Sequence, residues 1–342
     1  MVARTRLRLT RAQILAYRRR VQSLDERLPW SAAALRQAAW AGLQDSMPRA
    51  ALLSIHARVA GTKPTALDDP SLVQVWGPRY SAYVVAAGDH APFTLGRLPD
   101  NERGRRRAEE MASRLNAFLD GRVLTDREVD RALGVGNAIR YATTTGTVLI
   151  RWEGARAPSV WTVPRPSVEP LEARLELARR HLHVFGPTDA GALAEWAGLR
   201  PAPARAAYDA LGAELLPVRT PIGDRWMLAS DESLLRAAAP ATGAARLLPS
   251  GDAYYLLQGV ERELLLPDAA RRDRLWTSRV WPGAVLVAGE IVGTWRRANA
   301  VIEIEPWQRL SRAERASVEA EGAELPLPGL KGEIVVTRWV DA

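Results

Sequence analysis

The residue types available for chemistry in this 342-residue chain are few. There is no cysteine, which removes thiolate nucleophiles, disulfides and every thiolate metal site together. Histidine occurs four times, at His56, His90, His181 and His183, too sparsely to supply a metal-ligand spacing. His181 and His183 stand two apart, which on a helix points the rings away from each other, so structural roles are expected. No phosphate-cradling glycine loop and no serine-histidine-acid set in a supporting context is present. What remains is amide, carboxylate, hydroxyl and guanidinium. Of 47 basic residues only Lys63 and Lys331 are lysine, leaving 45 arginines against 39 acidic residues, a net charge of +8. Guanidinium groups bind phosphate bidentately and stack on bases, so nucleic acid is the first candidate partner, although codon bias explains much of the arginine preference.

One polar turn stands out, Gln44-Asp45-Ser46, between Gly42-Leu43 and Met47-Pro48. The proline ends the preceding helix and suits the first turn of the next. Asp45 or Ser46 then has the side-chain oxygen to cap that next helix, a reading that needs no catalysis.

The elements that position this turn follow from periodicity. Ile14, Tyr17, Val21, Leu24 and Leu28 recur at spacings of three and four, which predicts a first helix whose other face carries Arg18, Arg19 and Arg20 toward solvent. Ser31 is an N-cap for a helix bearing Leu35, Ala38, Ala39 and Leu43, and a third helix is expected over about 49–59. The runs 73–79 and 80–85 then read as a hairpin. The same order recurs. Thr125 and Glu128 form a capping box, Gly134-Val135-Gly136 turns into a further helix, and 147–152 pairs with 159–163. A third pass opens at Gly186-Pro187-Thr188, with helices through Leu199 and over 203–212, and 215–219 pairing with 226–228. Prolines 158, 164, 166 and 170 mark the joint between the second and third passes. After a small-residue linker over 237–245, short β-like runs follow at 254–257, 284–287, 291–295, 300–304 and 333–336, with a turn at Ala288-Gly289 and a helix capped by Ser311 and Glu314. The fold class is therefore α+β: three tandem winged-helix domains, 1–120, 121–178 and 179–238, followed by a β-rich C-terminal lobe over 239–342. No run reaches the roughly 18 apolar residues of a membrane span, and the N-terminus lacks the apolar core of a secretory signal.

Four stretches carry a resemblance: 42–58 around Gly42-Leu43-Gln44 and Pro48-Arg49-Ala50-Ala51; Phe185-Gly186-Pro187-Thr188 with Trp196-Ala197-Gly198-Leu199; 247–254 around Pro249-Ser250-Gly251-Asp252; and 287–296 around Gly289-Glu290-Ile291-Val292-Gly293-Thr294-Trp295. In this order and spacing they resemble the bacterial winged-helix DNA glycosylases that act on alkylated purines and interstrand crosslinks. The resemblance implies hydrolysis of an N-glycosidic bond in double-stranded DNA by a cytoplasmic monomer without cofactor, metal or membrane. It also places the catalytic residues at Gln44, Asp45 and Ser46. Active members read glutamine, any residue, then glutamine or aspartate there, so Ser46 departs from the pattern. Gln44 would orient water through its carbonyl and Asp45 would supply negative charge to an oxocarbenium-like sugar, provided both face one cleft. In the first wing the family's arginine, threonine and histidine correspond to Arg79, Ser81 and Tyr83. With Arg140, Arg151, Arg156, Arg296 and Arg297 these are the expected DNA contacts, the wing around Gly154-Ala155-Arg156-Ala157 foremost. The alternative is a winged-helix DNA-binding protein without excision activity, a regulator or lesion sensor; a protein-interaction scaffold is a third reading.

Overall fold

The computed structural model describes residues 6–47, 49–154, 156–327 and 336–340. The helices gather around three sheets, giving a mixed α+β fold. The largest sheet has six strands in the order Leu43–Gln44, Ala82–Ala86, Leu72–Trp76, Val148–Arg151, Ser159–Thr162, Leu124–Thr125. Two hairpins far apart in sequence thus share one sheet, joined where Gln74 faces Ile150. The short strand that ends at Gln44 lies at the sheet's edge, paired through Gln44 with Tyr83. Helices Ala32–Ala38 and Ala50–Arg58 precede the first hairpin, the former capped by Ser31 as expected. Thr125 and Glu128 form their capping box on the Asp126–Leu133 helix. The segment after Gly134-Val135-Gly136 is a 3-10 run, Gly136–Thr145, instead of an α-helix. It lies against the Glu102–Leu119 helix, which buries Ala108, Met111, Ala112, Leu115 and Leu119, one stripe at helical spacing, over Trp76, Val148, Ile150 and Val160.

The third hairpin, Leu215–Thr220 with Gly223–Leu228, follows helices Ala190–Ala197 and Pro201–Leu211. The N-terminal strand Leu7–Arg8 pairs parallel to it, and the Arg11–Val21 helix buries Ile14 and Tyr17 against Val218, Met227 and Leu235. That helix corrects one expectation. Arg18 and Arg19 are not on a solvent face but are 1% and 5% exposed. The reason is a set of orphan acceptors at the C-terminus of helix Pro170–Phe185. Arg18 donates to the carbonyls of Phe185, Gly186 (3.1 Å) and Pro187 (3.3 Å), while Arg19 pairs with Asp25 at 2.8 Å.

The C-terminal sheet runs Arg246–Leu248, Gly283–Val287, Glu290–Ala298, Val301–Pro306, Val336–Trp339, and helix Arg312–Ala323, boxed by Ser311 and Glu314, covers it. The turn at Ala288-Gly289 has φ of 46° and 81°, the left-handed pair that a two-residue hairpin needs. Tyr254-Tyr255-Leu256-Leu257 is not a strand. It is a buried turn in which the Tyr255 hydroxyl donates to the carbonyls of Pro249 (2.7 Å) and Pro282 (2.9 Å), holding two loops together. Of the 333–336 run, residues 333–335 lie outside the described residues. No described helix is long and apolar enough to cross a membrane.

Candidate active site

The Gly77–Ser81 turn of the first hairpin faces the Gln44 edge strand. Arg79 and Tyr80 both take left-handed backbone conformations, φ 52° and 58°, a combination that costs non-glycine residues on the order of 1–3 kcal/mol each. The surroundings hold it. The buried Arg97 donates to the carbonyls of Ala197 (2.8 Å) and Trp76 (3.1 Å) and lies 4.8 Å from the Tyr80 ring centre. Arg79 donates to the Trp196 carbonyl at 3.0 Å. Gly198 leaves space for this turn, since a Cβ there would lie 3.2 Å from the Arg79 nitrogen. Thus anchored, the Arg79 guanidinium donates to Gln44 Oε1 at 3.1 Å, and the Tyr83 hydroxyl donates to the same oxygen at 3.3 Å. With its acceptor doubly engaged, the Gln44 amide is oriented, and its Nε2 donates to Ser46 Oγ at 2.5 Å.

The geometry of this turn differs from the expected arrangement in two places. The Gln44 carbonyl already accepts two protein donors, and its amide nitrogen is turned to the Ser46 hydroxyl. Asp45 turns the other way and is 1% exposed. Its Oδ1 accepts from the Ala51 N–H at 3.0 Å, capping helix Ala50–Arg58, whose N-cap residue Arg49 contributes no side-chain bond. Its Oδ2 accepts from Gln74 Nε2 at 3.0 Å. Burial pushes its carboxyl up to about 7, partly offset by the Ala51 N–H. The polypeptide pairs Gln44 with Ser46 on one side of the turn and sends Asp45 to the other, the alternation of an extended segment.

The opposite wall is the Pro249–Tyr254 loop. Gly251, at φ 77°, lies against Gln44, and a Cβ added there would sit 3.2 Å from Gln44 Nε2. Asp252 fixes the loop: its carboxylate accepts from both terminal nitrogens of Arg58 (2.7 and 2.8 Å) and from Ser54 (2.6 Å), all buried. Helix Ala50–Arg58 thus carries one wall of the site while being capped from the other. Together these parts border a cleft of about 370 Å³ lined by Gln44, Ser46, Ser81, Gly251, Arg279 and Trp281 among others. No aspartate or glutamate lines it among the described residues. Gly251, Arg279 and Trp281 were not singled out as site residues from the sequence. The Ser250-Gly251-Asp252 motif was the available signal, but nothing local shows which residue it meets.

The expected DNA contacts separate into groups. Ser81 lines the cleft and Arg79 is turned inward onto Gln44. Tyr83 cannot stack on a base, because its ring is fully buried against Gly42 and Gly77; its hydroxyl is pushed up to about 12 by burial and acts as a donor. Arg151 is taken up by the Leu67 carbonyl (2.6 Å) and Asp68. Arg140 borders a neighbouring cleft, and Arg296 and Arg297 are exposed at the mouth of a larger one of about 680 Å³ that shares Met47, Ser250 and Trp281 with the Gln44 cleft. Arg156 is exposed beside Ala155, which lies outside the described residues. Three of the four histidines are engaged elsewhere: burial pushes His56 and His181 down to about 3, His181 packing between Phe185 and Trp196, and His183 contacts Asp231 at 2.9 Å. The cluster of His56, Glu321 and Glu324 already holds the Arg27 guanidinium, 3.0 Å from His56 and 2.6 Å from Glu321.

Comparison with known proteins gives the family. Residues 35–326 match the DNA glycosylase AlkZ-like family, and the chain belongs to it. An interstrand DNA cross-link repair glycosylase of Streptomyces sahachiroi is 26% identical over 363 aligned positions, covering 92% of this chain and 95% of that protein. The solved structure of the Streptomyces sahachiroi DNA glycosylase AlkZ superposes with a TM-score of 0.79 at 20% identity, covering 98% of this chain and all of that one. Family membership makes this a DNA glycosylase, not a DNA-binding protein of a non-catalytic class.

Proposed function

We propose that the protein hydrolyses the N-glycosidic bond of cationic, N7-alkylated purines in double-stranded DNA, acting as a monomer in the bacterial cytoplasm. The three helix-plus-hairpin units over 1–120, 121–178 and 179–238 are read as winged helices, and 239–342 as the lobe that closes the site. The similarity to a cross-link repair glycosylase extends the candidate substrates to interstrand crosslinks joined through such purines.

The observation that carries this reading is an uncharged amide–hydroxyl pair, Gln44 and Ser46, in a cleft that no carboxylate lines among the described residues. A neutral base leaves only if it is protonated, which requires an acid at the site. A purine alkylated at N7 is already cationic and departs neutral, so the sugar needs only a positioned water and oriented dipoles. The second Gln44 N–H and the free lone pair of Ser46 Oγ are the groups available to hold that water near the anomeric carbon. The water adds to that carbon as the base leaves with the bonding electron pair, and its surplus proton passes to solvent. Arg79 and Tyr83 act as positioning residues that fix the amide.

Duplexes containing N7-methylguanine, a crosslink through N7, or hypoxanthine are incubated with the protein, and abasic sites are counted. Excision of the two cationic lesions with hypoxanthine left intact is expected. Excision of hypoxanthine at a comparable rate would sink the proposed dependence on a cationic leaving group.

A further inference from the structure

Ser46, Arg79 and Ser81 form a ridge with a cleft on each side. The one away from Gln44 measures about 280 Å³, near the lower end of ligand pockets at roughly 300 Å³, which suits a single planar ring system. Buried Trp76 and Ile150 form its base, and half-buried Tyr80, Arg140 and Trp152 stand around it. Among the described residues no aspartate or glutamate lines this cleft either. Two of its aromatic residues are held by their neighbours, Tyr80 at its ring and Trp152 at its backbone. Tyr80 is held in its left-handed conformation with Arg97 at 4.8 Å from its ring centre and the Tyr141 ring edge-on at 5.6 Å; Tyr141 in turn carries Arg107 at 4.0 Å. Trp152 is clamped through its peptide groups, its N–H donating to Gln74 Oε1 at 2.6 Å and its carbonyl facing Gln74 Nε2 at 3.4 Å. The same Gln74 Nε2 donates to Asp45. Asp45 therefore ties the position of Trp152 to the three-residue turn that carries Gln44 and Ser46. Arg140 lies 5.7 Å from the Trp76 ring centre, adding a cation at the cleft's edge.

Aromatic rings beside a guanidinium, with no acid or imidazole among the described lining residues, match the π-face of a base attached to a phosphodiester backbone. We propose that this cleft stacks one nucleobase turned out of the duplex next to the bond that is cut, with Tyr80 and Trp152 as the stacking residues. The inference rests on the DNA glycosylase reading for the identity of the ligand, but its test does not depend on turnover. The base is either the damaged purine or the one opposite it; extrusion of either breaks its stacking in the duplex, which such a platform replaces.

Binding is measured to duplexes carrying N7-methylguanine on an uncleavable 2′-fluoroarabinose sugar and to the undamaged duplex, for the unchanged protein and for Trp152→Ala, Tyr80→Ala and Trp152→Phe. Trp152→Ala and Tyr80→Ala are each expected to weaken binding of the lesion duplex by about tenfold, the size of one base–aromatic stack, and to leave the undamaged duplex unchanged. Trp152→Phe retains the stack and most of the preference, separating this effect from misfolding. In two further arms an abasic spacer replaces either the damaged base or its opposite; the arm in which Trp152→Ala no longer matters identifies the stacked base. Equal weakening of both duplexes, or an effect that persists in both spacer arms, overturns the proposal. Abasic-site formation is scored separately on cleavable DNA, so a protein that shows the stacking preference without excision rejects the glycosylase chemistry and keeps the subsite.

Discussion

At Gln44 a single oxygen accepts from Arg79 and Tyr83, so the amide's polarity is set before any substrate arrives. The neighbouring Ser46 supplies a hydroxyl where the resemblance noted in the sequence leads one to expect glutamine or aspartate, and among the described residues no carboxylate lines the cleft to compensate. Ser46→Asp is accordingly expected to raise the excision rate of N7-methylguanine at least about tenfold by adding a general base. The sign of the accompanying pH change is fixed: the new carboxylate works ionised, so the variant loses its gain as pH falls through that group's pKa, whereas the unchanged protein gives a flat profile. Rate–pH curves for the two proteins check both points. Asp45 makes a separate prediction about stability. Its carboxyl is raised to about 7 in the folded protein, against an ordinary value of 3.8. Its contribution is therefore fully present below the unfolded value and is lost as pH rises through about 7, on the order of 1.4 kcal/mol per unit between the two values. Asp45→Asn removes that slope, so thermal melts between pH 5 and 8 should show the unchanged protein losing stability relative to the variant as pH rises.

Among the elements, the Pro249–Tyr254 loop and helix Ala50–Arg58 act as a pair. Gly251→Ala puts a Cβ at a left-handed position and 3.2 Å from Gln44 Nε2, so it strains the loop and displaces the amide. A stability loss of about 1 kcal/mol with a disproportionate fall in excision rate is expected, read by melting and by single-turnover kinetics. Asp252→Ala leaves Arg58 buried without its partner, and denaturant titration should show a loss of about 3–5 kcal/mol. These elements were legible in unequal measure. The caps at Ser31, Thr125 and Ser311 are local, side chain to backbone within three residues, and they stand where the sequence placed them. The run 254–257 has the composition of a strand but forms a turn, because two carbonyls on different loops claim the Tyr255 hydroxyl. Arg18 keeps a solvent-face pattern in sequence, and only the distant end of another helix supplies the acceptors that bury it.

For the whole molecule, fewer of the 45 arginines are available to DNA than the composition suggests. Arg58, Arg97 and Arg174 are buried in hydrogen bonds, and Arg151 is paired. The exposed Arg156, Arg296 and Arg297 remain as candidates for phosphate contact. Replacing these three by alanine should weaken binding to any duplex at low salt and reduce the slope of log affinity against log salt by close to one per phosphate contact removed. Excision at saturating enzyme should change little. An unaltered salt slope would show that DNA lies on another face.

By itself the sequence determined the α+β class, the three helix-then-hairpin passes, the capped helix starts and the turn that carries Gln44 and Ser46, because these depend on interactions within a few residues of each other; it did not single out the helices Glu102–Leu119 and Pro170–Phe185. It also narrowed the chemistry, since an absence of cysteine is complete at the level of composition. Tertiary structure decided which way each residue of that turn faces: Asp45 meets Gln74 and Ala51 in the interior while Gln44 meets Arg79, Tyr83 and Gly251 at the cleft. The physical reason is that a side chain's role depends on which donors and acceptors stand beside it, and four of those five partners come from elements that only folding brings to the turn.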